Sequence, residues 1–285
     1  MLNEIARRYG RVEDGTVRVI WRLMADLQAS VNQEVLAALS PGSLLGPESQ
    51  AAMRGYLERF NIEAEREIRE GIQLSIQAGV DSFAQPLISL GYALDARPDP
   101  ALLNTLTGFS ADLVQNVTED CRKVINMQVR MTALAQVKPF DAMKEITRQF
   151  GLQSMRLGRE VVSGVGYRAE RILRTELMRT FNLTHYAKQI ESAPMIPGLM
   201  KGWLATADSR TRRTHLQAHM QYQANPIPVD EPFVVGGSEL MYPGDPAGRP
   251  EDTINCRCRS YTVVPEVGVL STPLDARIKQ QLEGE

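Results

Sequence analysis

A chain of 285 residues with 43% hydrophobic and 23% charged side chains carries enough apolar material for one large core or two modest ones. Its formal net charge of −2 excludes a uniformly basic or acidic chain, and no run approaches the roughly 18 apolar residues that a membrane-spanning helix needs. The opening MLNEIARRYGRVEDG lacks the apolar stretch of a secretory signal, and three cysteines make no disulfide framework, so a reducing cytoplasm and no membrane are expected.

The first two-thirds reads as successive helices. Val17, Ile20, Trp21, Met24, Leu27, Val31 and Val35 recur at spacings of three and four, one apolar stripe. SPGSLLGP at 40–47 breaks it, and a second helix carries Met53, Tyr56, Leu57, Phe60, Ala64 and Ile68 on one face. Residues 72–93, apolar and rich in small side chains, read as a buried hairpin partner. In ARPDP, 96–100, Asp99 suits a cap and Pro100 a first helical turn. Leu102, Leu106, Phe109, Leu113, Val117, Val124, Met127, Met131 and Leu134 then predict a long helical arm. Pro139 opens another helix that Gly151 closes, and a basic helix runs from about Val165 to Glu191.

The texture changes at SAPMIPGL, 192–199. Short β-like runs follow (MKGWLAT, PFVVGG, CRSYTVV), with Gly236-Gly237 placed to turn a hairpin and YPGDPAGRPED reading as a long loop. The expected fold class is mainly α with a small C-terminal α+β domain. Residues 1–195 form the helical region, 196–265 the compact domain, and 266–285 a tail that straps the surface or forms a short peripheral helix. Few apolar contacts are expected across the 192–199 junction.

Charge is distributed unevenly. Residues 1–119 carry 10 basic and 16 acidic groups, and residues 120–190 carry 13 and 6. The basic stretch suits either weak contact with a polyanion such as DNA or a solvated helical face paired with the acidic N-terminal part.

Polar chemistry concentrates near the end. His215 and His219, in TRRTHLQAHMQ, share a helix face, with Asp208 or Ser209 as the cap. Cys256 and Cys258, in INCRC, are too close in sequence for an unstrained disulfide. Two imidazoles and two thiols are a set that zinc takes tetrahedrally, and a subdomain of about 65 residues gains from such a staple. The alternative is packing: a Cys-x-Cys pair in a strand sends both thiols to one core face. Catalytic patterns fit worse. A zinc-protease helix needs Glu where Leu216 stands, and a zinc deaminase needs Glu where Gln217 stands. Glu176, in LRTEL, reads as an ion-paired surface residue.

RILRTELMRTFN (171–182), KGWLATADSRTRRTH (201–215), PF (232–233), YPGDPAG (242–248) and INCRC (254–258) occur in an order that resembles the phage Mu F-like head morphogenesis family. The resemblance implies a non-enzymatic minor head protein of tailed bacteriophages, acting at the portal vertex and sometimes in genome delivery. It implies portal and capsid or scaffold proteins as partners, and a place in the virion, with the host cytoplasm during assembly. Trp203, Asp208, Arg210, His215, Asn255, Cys256 and Cys258 fall on its motif positions. Some relatives have cysteines where Arg212 and His215 stand and a histidine near Thr253, so His219 is the substitute fourth ligand here. Two rival functions are a metal-dependent hydrolase acting on nucleic acid or cell wall, and a DNA-binding ejection protein using 120–190.

Overall fold

The apolar stripes fold as helices in the computed structural model, which describes residues 2–37, 47–133, 136–152, 164–264 and 268–269. Among the described residues five principal helices come first: α1 (Leu2–Ala37), α2 (Pro47–Ser89), α3 (Pro100–Ala133), α4 (Pro139–Phe150) and α5 (Val165–Ser192). The C-terminal part alternates β1 (Met200–Leu204), α6 (Arg213–Ala224), β2 (Ile227–Pro228), β3 (Phe233–Val235), β4 (Ser238–Leu240), the single turn α7 (Pro250–Thr253), β5 (Arg259–Val264) and β6 (Gly268–Val269). The class is mainly α with a small α+β part. Among the described residues no helix is long and apolar enough to cross a membrane.

Two compact units divide the chain, and neither is continuous. One comprises the described parts of Asp14–Gly71 and Thr107–Leu173; the other comprises those of Met1–Glu13, Ile72–Leu106 and Arg174–Glu285. The break at 40–46 and the tail beyond Val269 lie outside the described residues, whereas residues 268–269 of the expected tail form β6.

In the first unit the α1 stripe from Val17 to Val35 is buried throughout, as are Met53, Leu57, Phe60, Ala64 and Ile68 of α2. Partly buried hydrogen bonds between helices join Gln28 Nε2 to Thr147 Oγ1 at 3.1 Å and Thr118 Oγ1 to Asn61 Oδ1 at 3.0 Å. The buried face of α3 differs from the expected one. Val117, Cys121, Ile125 and Val129 point inward at spacings of four, while Met127 is 58% exposed. Cys121 is therefore core filling, and burial pushes its thiol up to about 12.

In the second unit α2 continues without interruption through residues 72–89, so the expected hairpin partner is the same helix. Nothing at that point ends a helix: Gly71 is tolerated there because a side chain would strike Thr16. The cap at α3 is as expected, with Asp99 Oδ1 accepting from the Ala101 N–H at 2.9 Å. Gly151 closes α4 in the left-handed conformation, φ 69°.

A four-stranded antiparallel sheet has the order β2-β1-β5-β6, with Trp203 opposite Ser260 and Gly202 opposite Tyr261. The β3–β4 hairpin stands apart from that sheet and turns on Gly236 and Gly237, φ 62° and 88°. Apolar contacts do cross 192–199, against expectation. Ile196 and Leu199 pack in one cluster with Val80, Phe83, Ala84 and Leu87 of α2, and with Val229 and Val264. The two large apolar side chains of this run, Ile196 and Leu199, are core.

Candidate metal centre

Trp203, on the central strand β1, is fully buried and packs edge-on against His215 at 5.5 Å and Phe233 at 5.4 Å. Helix α6 presents His215, Leu216, Ala218, His219 and Tyr222 inward. Its N-cap is Arg212, which makes no side-chain cap. Asp208 is engaged elsewhere: its carboxylate accepts from both Arg257 Nη atoms, from the Arg210 backbone N–H at 3.0 Å and from Thr211 Oγ1 at 3.1 Å. The Arg257 guanidinium holds the Asp208 carboxyl well below the usual carboxylate range.

Cys256 and Cys258 precede β5 and sit in a bent loop, not in a strand. Asn255 opens that bend at φ 58°, a conformation Asn tolerates better than most residues. The loop is tied down on every side. The Asn255 N–H donates to Thr175 Oγ1 at 2.9 Å, and Asn182 Nδ2 donates to the Cys258 carbonyl at 3.0 Å. Thr206 Oγ1 donates to the Arg257 carbonyl at 2.9 Å, and Arg212 Nη2 to the Ile254 carbonyl at 2.6 Å.

The bend turns both sulfurs toward one imidazole. His215 Nδ1 lies 3.3 Å from Cys258 Sγ and 3.6 Å from Cys256 Sγ. The three ligand atoms lie within 4.8 Å of one another, and all three residues are buried. His219 is not part of this group. Its Nδ1–H donates to the Trp203 carbonyl at 2.9 Å, so of the four residues expected together the structure gathers three. The Cys258 thiol and the His215 ring hold Cys256 well below the ordinary thiol range, while burial pushes Cys258 well above it.

A second interlock surrounds the centre. Asp245 organises the YPGDPAG loop by accepting from the Met241 N–H at 2.9 Å and the Ala247 N–H at 3.0 Å. Arg179 Nε donates to the Gly244 carbonyl at 2.9 Å and its Nη1 pairs with Glu176 at 2.6 Å. Lys201 is wholly buried, its Nζ donating to the Met241 carbonyl at 2.7 Å between the rings of Tyr186 and Phe233. Burial pushes its pKa down to about 8. Thr175, Asn182 and Thr206 hold the cysteine loop, yet nothing in spacing alone marks them. Their only signal is that they lie in the runs that carry the family resemblance.

The sequence model of the family described as Phage Mu protein F like protein matches residues 119–261, half of the chain. The chain belongs to this family. The matched stretch of this Mu F-like chain includes the cysteine loop, α6 and all of the interlocking residues from Thr175 to Arg257. A curated relative is the NAD(+)--arginine ADP-ribosyltransferase EFV of Enterococcus faecalis (strain ATCC 700802 / V583), 27% identical over 248 residues. The match covers 85% of this chain and 44% of that protein, so the chain spans less than half the length of this relative. No solved structure matches the chain.

Proposed function

We propose that this Mu F-like chain is a minor head protein of a tailed bacteriophage, acting in head morphogenesis at the portal vertex and residing in the virion. The observation that carries the proposal is the closure of the family runs on one another. LRTEL and MRTFN on α5, KGWLATADSRTRR on β1 and the following loop, YPGDPAG and INCRC meet through the Thr175, Asn182, Arg179 and Asp208 contacts. Together these contacts lock the family runs into one packed body. In this proposal the helical region, residues 1–195, meets portal or scaffold, and residues 196–265 serve as the rigid knob. The test is co-expression with the portal protein of the same genome, followed by pull-down and mass measurement. Heads of identical composition and infectivity with and without the chain would overturn it.

The proposal includes one structural zinc ion held by His215, Cys256 and Cys258. Their donor chemistry fits: two sulfurs and one imidazole, with spacings near the roughly 3.5 Å that a tetrahedral ion imposes on neighbouring ligands. When bound, zinc would supply cross-linking of the loop to α6 and no chemistry. The residues themselves exclude water, since all three are at most 3% exposed. Elemental analysis of protein purified without chelator checks this, and a folded, metal-free chain leaves only the packing interpretation.

The name of the Enterococcus faecalis relative favours a second reading, transfer of ADP-ribose from NAD to arginine. Incubation of the chain with labelled NAD and an arginine-rich acceptor distinguishes the two: the head-protein proposal expects no labelled product.

A further inference from the structure

Two buried nitrogens beside the cysteines lack hydrogen-bond partners among the described residues: Trp203 Nε1 and His215 Nε2. An unmet buried N–H forfeits its hydration with nothing in return, and native interiors leave few of them. Around this pair, much of the loop's backbone and the Arg257 side chain are met by Thr175, Asn182, Thr206, Asp208 and Arg212. Trp203 is rigidly held, wholly buried, with His215 edge-on at 89° on one side and Phe233 at 84° on the other. Phe would fill most of that space, so packing alone does not account for an indole there. A thiol sulfur is a weak acceptor. A metal-bound thiolate is a much better one, and N–H donors around it orient the sulfur and spread its charge.

Resting on the zinc reading above, we propose that Trp203 is a positioning residue for the metal centre, its indole N–H donating to the Cys258 sulfur once that sulfur is a metal-bound thiolate. Trp203 and Cys258 belong to the same buried cluster as His215's neighbours on α6. The role explains why the motif run KGWLAT places an aromatic N–H donor, and not only an aromatic ring, on the central strand.

The full chain labelled with [15N]tryptophan has two indole signals, since it has two tryptophans, and Trp21→Phe assigns them. Adding one equivalent of Zn2+ shifts the Trp203 indole signal and slows its exchange with deuterium. With 113Cd2+ in place of Zn2+, the indole proton gains a splitting from the metal through the sulfur. Trp203→Phe lowers Zn2+ affinity about 10-fold in competition with a chelator. If Trp203→Phe fails to fold, the spectra of the unsubstituted chain decide by themselves. Metal binding at one equivalent with an unmoved Trp203 signal and no splitting overturns the positioning role and leaves the zinc reading standing. No metal binding at all overturns both.

Discussion

His185 sits at the middle of a buried relay of neutral groups. Gln189 Nε2 donates to Thr262 Oγ1 at 2.9 Å, Thr262 Oγ1 faces His185 Nε2 at 3.2 Å, and His185 Nδ1 faces Ser82 Oγ at 2.6 Å. Ser82 spends its own proton on the Gly79 carbonyl at 2.8 Å. It must therefore accept from Nδ1–H, which leaves Nε2 to accept from Thr262. The neutral tautomer is satisfied at both nitrogens, and a second ring proton would confront a hydroxyl already committed as donor. Burial accordingly pushes the His185 pKa down to about 3. Between that value and the unfolded pKa of about 6.5 the unfolded chain binds a proton that the folded chain refuses. This contribution to stability is thus intact above pH 6.5 and is lost on acidification, about 2 kcal/mol of it by pH 5. Urea midpoints at pH 7 and pH 5 measure the loss, and His185→Gln, though less stable at pH 7, should show a shallower fall. An unchanged fall in the variant would assign the acid sensitivity to other groups.

Where α2 crosses α5, Gly79 allows the two backbones to touch: a side-chain carbon there would meet the Phe181 carbonyl at 2.5 Å and Thr184 Cβ at 2.8 Å. Ala is the better helix former by up to about 1 kcal/mol, but overpacking against backbone costs about 1–3 kcal/mol or more. Gly79→Ala is expected to destabilise, read as a lower melting temperature; a rise would mean the helices can separate at no cost. The same packing changes what loss of the metal should do. Since Ile196, Leu199 and Val264 share a cluster with α2, Cys256→Ala or chelation should loosen α2 residues 72–87 together with β5, on the order of several kcal/mol. Hydrogen exchange reads this directly, and protection lost from β5 alone would contradict it.

At this scale much was legible in the residues. The stripes of α1 and α2, the Asp99 and Gly151 boundaries and the Gly236-Gly237 turn all follow from local rules. The phase of α3 was not, because Cys121 was left out of the apolar count and Met127 was included. His219 was misplaced for a related reason. Four-residue spacing puts two histidines on one face, but a neighbouring strand carbonyl, that of Trp203, decides which of them is free to meet the cysteines.

Across the whole molecule the basic stretch 120–190 is partly neutralised by ion pairs. Arg122 pairs with Glu119, Arg148 with Glu145, Arg168 with Asp120, Arg174 with Glu13, Arg179 with Glu176 and Lys188 with Glu191. Each phosphate contact adds about 0.9 to the slope of log affinity against log salt. With six of the 13 cations in ion pairs, DNA binding should be weak, non-specific and shallow in slope, about 3 or less, when followed by fluorescence anisotropy from 50 to 200 mM salt. A steep slope or a sequence preference would favour the ejection-protein rival. What sequence order concealed at this scale is which helical stretches belong together. Periodicity identifies an inward face without naming the face it meets, so the pairing of α2 residues 72–87 with the C-terminal strands had no local signal.

The unit that contains the cysteine loop is assembled from three separate stretches of chain, and that discontinuity has a consequence for synthesis. Its last strand residues, near Val264, are translated some 180 residues after Val80 and Phe83, the α2 side chains they cover. On a ribosome part of the apolar face of α2 must therefore wait uncovered while those residues are added, a vulnerable interval for any chain that closes such distant contacts late. A nascent chain arrested before β5 is expected to be held by chaperones or degraded. The bent INCRC segment is thus also a clasp that fastens only after everything it holds has already emerged.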